Sequence, residues 1–400
     1  MIEPAAAPVF RPRAFRSAFV VLALLAAAGA GSAHAKRSES SIAPLVWPAP
    51  PETARVRWAG ELRRGNAGDA GGFGGALRRL FTGGSATPEA QLVRPTDVYA
   101  EDSSRVYVTD AAQSRVFVLE RDRLTMRSLP IEGAGAPSKP MGITGDGRGL
   151  LYVTDPPGRR VVVIDRNGRF VRAFGGRGVL LNPVDVALDT TARLAWVADS
   201  WLHQVIAFDE RGERVRTLGR TSGDARSKSV EQEPPGNAAG RSLADAHRSQ
   251  AGSRDVRENR GGGPGEFLYP CGVAVSAAGE LYVCDGLNAR VQVFGRDGGY
   301  RRSFGRLGDG PGSFARPKGI ALDPDGNVYV VDAAFNNVQI FDPEGRLLLA
   351  FAQLGSGPGQ LRLPLGLWID RSGHIYVADR YNARVETFAR LESAAESRTR

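Results

Sequence analysis

Six aspartates recur along this sequence in one local context. Each closes the second of two short apolar runs, and a proline opens the first of the two. The pairs are Pro95 with Asp110, Pro140 with Asp155, Pro183 with Asp199, Pro270 with Asp285, Pro317 with Asp332, and Pro364 with Asp379. A ring of carboxylates could ligate a metal ion or perform acid–base chemistry. The regular recurrence favours a structural role instead, because a catalytic site is asymmetric and an aspartate that closes a strand can accept backbone N–H groups of the following loop.

Two further carboxylates break the regularity. Two positions after the proline, four copies have Gly, whereas the first has Asp97 and the third has Asp185. Carboxylates on strands that line a channel could hold Ca²⁺, although two of them fall short of the about six to eight oxygens that this ion takes. Zinc is disfavoured, because His203 is the one histidine placed near this region and a lone His does not make a zinc site. We therefore expect no cofactor, with Ca²⁺ at Asp97 and Asp185 as the alternative.

The chain has two cysteines, Cys271 and Cys284, which belong to the first and second strands of one predicted hairpin. Export to an oxidising compartment would favour a disulfide between them. If Ala277 and Ala278 form a two-residue turn, the two cysteines face each other. A three-residue loop ending at Gly279 would offset them and leave two buried thiols. The sequence leaves both outcomes open.

The elements that carry these residues are short strands. Residues 310–351 contain four of them, predicted at Lys318 to Leu322, Val328 to Val331, Asn337 to Phe341 and Arg346 to Phe351, with Asp-Pro-Asp-Gly and Asp-Pro-Glu-Gly as turns between strands. The interval from Pro to Asp is 15 residues in five copies and 16 in the third. Six copies of a four-stranded unit with a period near 45 residues predict an all-β fold, a six-bladed β-propeller of antiparallel four-stranded blades.

The segments GPGEFLYPCGVAVSAAGELYVCDGLNARVQVFG and GPGQLRLPLGLWIDRSGHIYVADRYNARVETF closely resemble NHL repeats, which form the blades of six-bladed propellers. The resemblance covers residues 92–390 apart from one insertion. It implies the fold but not the activity, because NHL-like propellers serve as protein-binding, RNA-binding and sensor modules and, less often, as enzymes. The amidating lyases that share this fold use several channel histidines, which this sequence lacks.

The predicted connectivity places the start of each first strand and the end of each second strand on one side of the ring. Loops on a rigid scaffold are where propellers generally bind ligands. Basic and aromatic side chains gather there, in the composition of an interaction surface. The predicted binding face consists of Arg94, Lys139, Trp201, Tyr269, Arg316, Lys318, Phe335, Arg380 and Tyr381. The alternative is that these loops pack against one another near the axis.

The first 35 residues have the pattern of a secretory signal peptide, with three arginines, an apolar run and a small-residue cleavage site. We therefore expect export to the periplasm or the extracellular space, with no membrane span in the mature chain. Residues 36–64 are predicted as a lead-in whose segment 55–62 completes the last blade. Residues 65–93 form a Gly-rich connector, and residues 94–390 form the propeller.

Two segments are expected to lie outside the propeller. Residues 221–260 contain no aromatic residue and few large aliphatic ones, which predicts a disordered insertion rather than another blade. Residues 391–400 form a polar tail.

These features favour a monomeric, non-enzymatic binding or scaffold protein that recognises a protein, a peptide or an envelope polymer on its loop side. The net charge of +9 suits an acidic partner of that kind. Nucleic acid is a poorer candidate, because export would separate the protein from a nucleic-acid partner inside the cell. The alternative function is a divalent-metal-dependent hydrolase or lyase with a site at the channel mouth, using Asp97 and Asp185.

Overall fold

Antiparallel sheets follow one another along the chain; five have the strand order of a simple meander, and the sixth joins the last three strands to the first two. The computed structural model describes residues 44–63, 90–102, 104–121, 125–219 and 261–391. Two strands, β1 (Val46–Trp47) and β2 (Val56–Leu62), precede the first blade. The six sheets confirm the predicted all-β six-bladed propeller.

The remaining strands fall into blades of similar build. Blade one has β3 (Pro95–Ala100), β4 (Arg105–Asp110), β5 (Arg115–Glu120) and β6 (Thr125–Ser128); blade two has β7 (Ile143–Gly145), β8 (Leu150–Asp155), β9 (Arg160–Asp165) and β10 (Phe170–Gly175); blade three has β11 (Pro183–Asp189), β12 (Leu194–Asp199), β13 (Gln204–Phe208) and β14 (Arg214–Leu218). Blade four has β15 (Pro270–Val275), β16 (Leu281–Asp285), β17 (Arg290–Phe294) and β18 (Tyr300–Phe304); blade five has β19 (Pro317–Leu322), β20 (Val328–Asp332), β21 (Asn337–Phe341) and β22 (Leu347–Phe351); blade six has β23 (Pro364–Ile369), β24 (His374–Asp379) and β25 (Arg384–Arg390).

Each blade buries its faces against its neighbours, as a two-faced apolar sheet must. One contact repeats between blades: a phenylalanine of the fourth strand packs on a phenylalanine of the next blade's third strand. The ring centroids of Phe174 and Phe208, of Phe304 and Phe341, and of Phe351 and Phe388 are each 5.0 Å apart. Tilted aromatic pairs at this separation add to the free energy of apolar burial. The core therefore lies between blades, which fixes their spacing and the positions of the loops.

The N-terminal strand β2 closes the ring, as predicted. It pairs antiparallel with β25, with Trp58 opposite Phe388 and Leu62 opposite Val385. The sequence interpretation missed a further strand, β1, which pairs with the outer edge of β2. Its Trp47 ring lies 5.9 Å from Phe351 and 5.6 Å from Phe388. The sixth sheet therefore has five strands, and β1 covers the edge that β2 would otherwise expose.

A buried ionic network ties the closing strand to blade six. The Arg384 guanidinium contacts the carboxylates of Glu61 at 2.6 Å, Asp379 at 2.8 Å and Glu386 at 2.8 Å. Trp58 Nε1 donates a hydrogen bond to Glu386 at 2.6 Å. Arg384 and Glu386 are almost completely buried, so the loss of either partner would leave a charge unpaired in the core.

The alternative of a disulfide between Cys271 and Cys284 is corrected by the structure, in which both thiols are free. The register shifts between Pro270 and Gly272, so that Gly272, not Cys271, stands opposite Cys284. This β-bulge is the physical reason that the sulfur atoms do not meet. Cys271 Sγ instead lies 3.1 Å from the Pro317 carbonyl oxygen of the next blade.

Several predicted segments lie outside the described residues: the leader 1–35, most of the connector 65–93, the insertion 221–260, and the tail beyond Leu391. In the part of the chain that the structure describes, no helix is long and apolar enough to cross a membrane.

Candidate functional site

The meander order of each blade places two kinds of connection on opposite sides of the ring. The loop face carries the residues that precede each first strand and the loops that follow each second strand. The turn face carries the tight turns between the first and second strands and between the third and fourth strands. All nine residues of the predicted binding face belong to loop-face segments or to the first residues of the first strands.

The six recurring aspartates are fully buried and hold the loop face together. Asp332 shows the pattern: it accepts N–H groups of Ala315 at 2.7 Å and Arg316 at 3.0 Å from the loop before β19, and of Ala334 at 2.9 Å and Phe335 at 3.0 Å from the loop after β20. Each of the other five accepts at least one N–H from the loop that precedes its blade's first strand. The sequence interpretation had named the following loop alone.

Arginines five positions after the aspartates complete this arrangement in three blades. Arg160 Nε lies 3.2 Å from Asp155, Arg290 Nε 2.9 Å from Asp285, and Arg384 Nε 2.8 Å from Asp379. With their oxygens engaged by backbone and guanidinium donors, these carboxylates are structural groups.

A second set of contacts links neighbouring blades across the loop face. Ser114, His203 and Asn336 each occupy the left-handed backbone region just before a third strand, with φ between 54° and 56°. Ser114 Oγ donates to the Ser138 carbonyl oxygen at 2.6 Å, while His203 Nδ1 and Asn336 Oδ1 accept the N–H groups of Tyr269 at 3.0 Å and Leu363 at 2.8 Å. Burial lowers the pKa of His203, which keeps Nδ1 free to accept this bond at neutral pH.

Asp97 and Asp185 connect the first strands of successive blades. Asp97 Oδ2 accepts the N–H of Ile143 in blade two at 2.8 Å, and Asp185 Oδ2 accepts the N–H of Val273 in blade four at 2.8 Å. Glycines lie beside them, because a Cβ added at Gly366 would overlap Asp97, and a Cβ at Gly142 would come 2.8 Å from Asp185 Oδ1. The neighbouring glycines thus provide the room that the two aspartates occupy.

The two carboxylates also influence each other's ionisation. Burial raises the pKa of Asp185 to about 7. Burial and the neighbouring charge of Asp185 hold the pKa of Asp97 well above its ordinary value. The pair therefore retains protons near neutrality.

The donor set fits Ca²⁺ poorly. Asp185 Oδ1 accepts the N–H of Val186 at 2.8 Å, and the Oδ2 atoms of both acids are engaged by backbone donors. A calcium ion needs several oxygens with free lone pairs directed at one point. Among the residues that the structure describes, no three His, Cys, Asp or Glu side chains form a group that could hold a metal ion.

The remaining predicted residues present basic and aromatic groups on the loop face to different degrees. Trp201 and Tyr381 are each 53% exposed, and the Arg94 guanidinium lies 5.9 Å from the centroid of the Tyr381 ring. Arg94 and Lys139 are exposed, whereas Tyr269, Arg316, Lys318, Phe335 and Arg380 are half-buried. Tyr269 packs its ring 5.0 Å from His203, so it belongs to the contact between blades three and four.

Comparison with known families agrees with this architecture. Residues 273–333 match a family described as a 6-bladed beta-propeller, and residues 361–388 match the NHL repeat. No curated protein matches the chain in sequence. Similar solved structures include a protein of unknown function from Bacteroides thetaiotaomicron, with 17% identity and a TM-score of 0.51 over 76% of this chain and 70% of that one.

Two enzymes are also among the similar structures. A gluconolactonase from Xanthomonas campestris has 14% identity and a TM-score of 0.51 over 75% of this chain and 87% of its own. A virginiamycin B lyase from Staphylococcus aureus has 13% identity and a TM-score of 0.46 over 76% of this chain and 83% of its own. At 14% identity, the likeness to the gluconolactonase shows the fold alone.

The fold and its repeated loop anchors define the class: the chain is a six-bladed β-propeller with antiparallel four-stranded blades, closed by an N-terminal strand. Within it, blade six carries a match to the NHL repeat, and the match to a 6-bladed beta-propeller family spans blade four and part of blade five.

Proposed function

We propose that this chain is an exported, non-enzymatic binding or scaffold propeller that recognises a protein or peptide, or an acidic envelope polymer, on its loop face. The observation that carries the proposal is the exposure there of Trp201 and of Tyr381, the second of which lies beside the exposed Arg94. Aromatic rings and guanidinium groups are enriched where proteins bind partners. The anchored aspartates beneath them supply the rigid support that such a site needs.

The channel acids support the non-enzymatic interpretation. One carboxylate oxygen of Asp97 and one of Asp185 accept a backbone N–H of the next blade. This structural role accounts for the two acids without any part in binding a substrate. We propose that the protein needs no metal cofactor and acts as a monomer in the periplasm or outside the cell. The leader sequence supports export, and the net charge of +9 supports an acidic partner rather than nucleic acid in that location.

Capture of the partner from an envelope extract tests the proposal. Two double variants change the loop face, Arg316→Glu with Lys318→Glu and Trp201→Ala with Tyr381→Ala. Both should abolish capture while the circular dichroism spectrum stays unchanged. The matched control is Arg148→Ala with Arg371→Ala, which removes two exposed cations from the turn face and should leave capture intact. Undiminished capture by both loop-face variants would overturn the proposal.

A second candidate is a divalent-metal-dependent hydrolase or lyase at the channel mouth. One observation favours it: the pKa of Asp185 is raised to about 7, the range in which a carboxyl group can act as a general acid or base. Metal analysis of the purified protein separates the two candidates. A stoichiometric divalent ion that is lost in the variant Asp97→Asn with Asp185→Asn would favour the enzyme.

A further inference from the structure

Arg380 occupies a position at which the other blades carry small residues. It directly follows Asp379, and the residues that directly follow the equivalent aspartates are Ala111, Pro156, Ser200, Gly286 and Ala333. Arg380 begins a short 3-10 turn, Arg380–Asn382, on the loop face. Blade six thus places one long cationic side chain where the repeat otherwise has none.

The surroundings of Arg380 leave its charge without a direct partner. In the described part of the chain, its Nε atom is buried and has no hydrogen-bond partner. Asp110 contributes a favourable charge, but its oxygens accept the N–H groups of Val93 at 2.7 Å and Ala112 at 3.1 Å. A partly buried cation in this situation is costly unless something compensates it.

A second guanidinium lies beside the first. Arg94 belongs to the loop before β3, and its guanidinium lies over the Tyr381 ring. Burial, and after it the nearby positive charge of Arg94, lower the pKa of Arg380. Arg380 and Arg94 thus place two positive charges near the boundary between blades six and one, and a bound anion would offset both.

We propose that Arg380 and Arg94 together bind a carboxylate of an acidic peptide segment on the partner protein. This inference rests on the proposed function and specifies its ligand. A guanidinium presents parallel N–H donors that match the two oxygens of a carboxylate, and the pairing strengthens where water is excluded. The exposed ring of Tyr381 offers apolar contact to a neighbouring side chain of the same peptide.

The distribution of charge favours a peptide over a nucleic acid. Nucleic-acid grooves follow a phosphate backbone with many cations in sequence. Here the charge comes from two arginines near the boundary between blades six and one, which suits a single anionic group.

Fluorescence anisotropy with a rhodamine-labelled (Glu-Leu)₃ peptide tests the inference on the purified protein at about 0.15 M salt, where long-range charge effects are screened. The variant Arg380→Ala introduces the residue that blades one and five already carry, so folding should be preserved. It should weaken binding about tenfold or more, as expected for the loss of a charge-assisted pair of hydrogen bonds. Arg94→Ala should weaken binding too, and Arg380→Lys should give an intermediate affinity because it keeps the charge but not the planar donors.

The matched control is Arg371→Ala, which removes the same charge from an exposed turn-face position of the same blade and should change the affinity less than about twofold. A (Gln-Leu)₃ peptide should bind at least about tenfold more weakly than (Glu-Leu)₃. The inference is overturned if (Glu-Leu)₃ does not bind, if Arg380→Ala and Arg371→Ala have equal effects, or if a hexathymidylate binds more tightly and depends on Arg380.

These outcomes are distinct from failure of the proposed function. Suppose that Arg316→Glu with Lys318→Glu abolishes partner capture, whereas Arg380→Ala leaves the affinity for (Glu-Leu)₃ unchanged. The loop face then binds its partner, and only the assignment of the carboxylate site to Arg380 is wrong. If capture persists in both loop-face double variants, the proposed function itself is wrong.

Discussion

Buried carboxylates serve two different purposes in this propeller, and the groups around each carboxylate show which purpose it serves. Asp332 accepts four backbone N–H groups from two loops, whereas Asp97 feels the charge of a second buried acid, Asp185, two blades along the ring. The first kind of site satisfies the carboxylate oxygens with several backbone donors, so the carboxylate holds two loops in place. The second kind favours the protonated acid, because burial and like charge both oppose ionisation.

Replacing Asp332 should destabilise the fold strongly. In Asp332→Ala the four N–H groups lose their acceptor, and an unsatisfied buried donor costs ~1–3 kcal/mol. We expect a loss of at least ~3 kcal/mol in the free energy of unfolding, measured by urea denaturation. Asp309→Ala, at an exposed loop position, is the control and should change stability by less than ~0.5 kcal/mol. Equal stability of the two variants would contradict the structural role.

The channel acids should make stability depend on pH in the opposite sense to a salt-bridged carboxylate. Their pKa values are raised in the folded protein, that of Asp185 to about 7, so the folded state binds more protons than the unfolded state above pH ~4. Their contribution to stability is therefore complete below pH ~4 and is lost as the pH rises through about 7.

The variant Asp97→Asn with Asp185→Asn keeps an oxygen acceptor at each position and removes the titration. Its melting temperature relative to the unchanged protein should rise between pH 5 and pH 8, by ~3 °C or more. Differential scanning calorimetry at several pH values measures this difference. Asp309→Asn should show no such trend, and a constant difference for the channel variant would refute the assigned shifts.

At the scale of elements, the closing strand explains how the ring tolerates its two chain ends. β2 supplies the outer strand of blade six, and the network around Arg384 joins it to β25. Deleting residues 36–65 should expose the edge of β25 and cause aggregation or a large fall in melting temperature. Trp58→Phe keeps an aromatic ring but removes the N–H donor to Glu386. This substitution should lower the free energy of unfolding by ~1–3 kcal/mol. An unchanged melting temperature after the deletion would show that the ring closes in another way.

The strands were predictable because their signals repeat. The four strands expected in blade five agree with β19 to β22 to within a residue at each end, since turn residues and alternating apolar residues coincide there. β1 was missed because two residues between prolines carry no such pattern. The buried Glu386 was detectable in principle: it stands in mid-strand, where blades four and five carry the buried polar residues Gln292 and Gln339.

The contacts between blades could not be predicted from the sequence. The repeat locates Ser114, His203 and Asn336 at equivalent positions, but it does not show that each reaches the next blade, because that distance depends on how the sheets pack. The same holds for Asp97 and Asp185. Their departure from Gly was visible and indicated a special role, while their bonds to Ile143 and Val273 follow from blade geometry.

At the scale of the whole molecule, the ring offers two faces of different character. The turn face consists of tight turns, whereas the loop face carries longer segments anchored by buried aspartates and presents Trp201 and Tyr381, the most exposed aromatic rings among the described residues. Rigid support beneath variable loops is the arrangement in which binding surfaces commonly occur. The central claim is therefore that the partner approaches from the loop face alone.

Site-specific photo-cross-linking in living cells tests this claim most directly. A photoreactive phenylalanine analogue placed at Trp201 or at Lys139 samples the loop face, and the same group at Arg148 or Arg371 samples the turn face; each of the four positions is exposed. We expect one discrete adduct from the loop-face positions and none from the turn-face positions. The same adduct formed equally from both faces, or from the turn face alone, would contradict it.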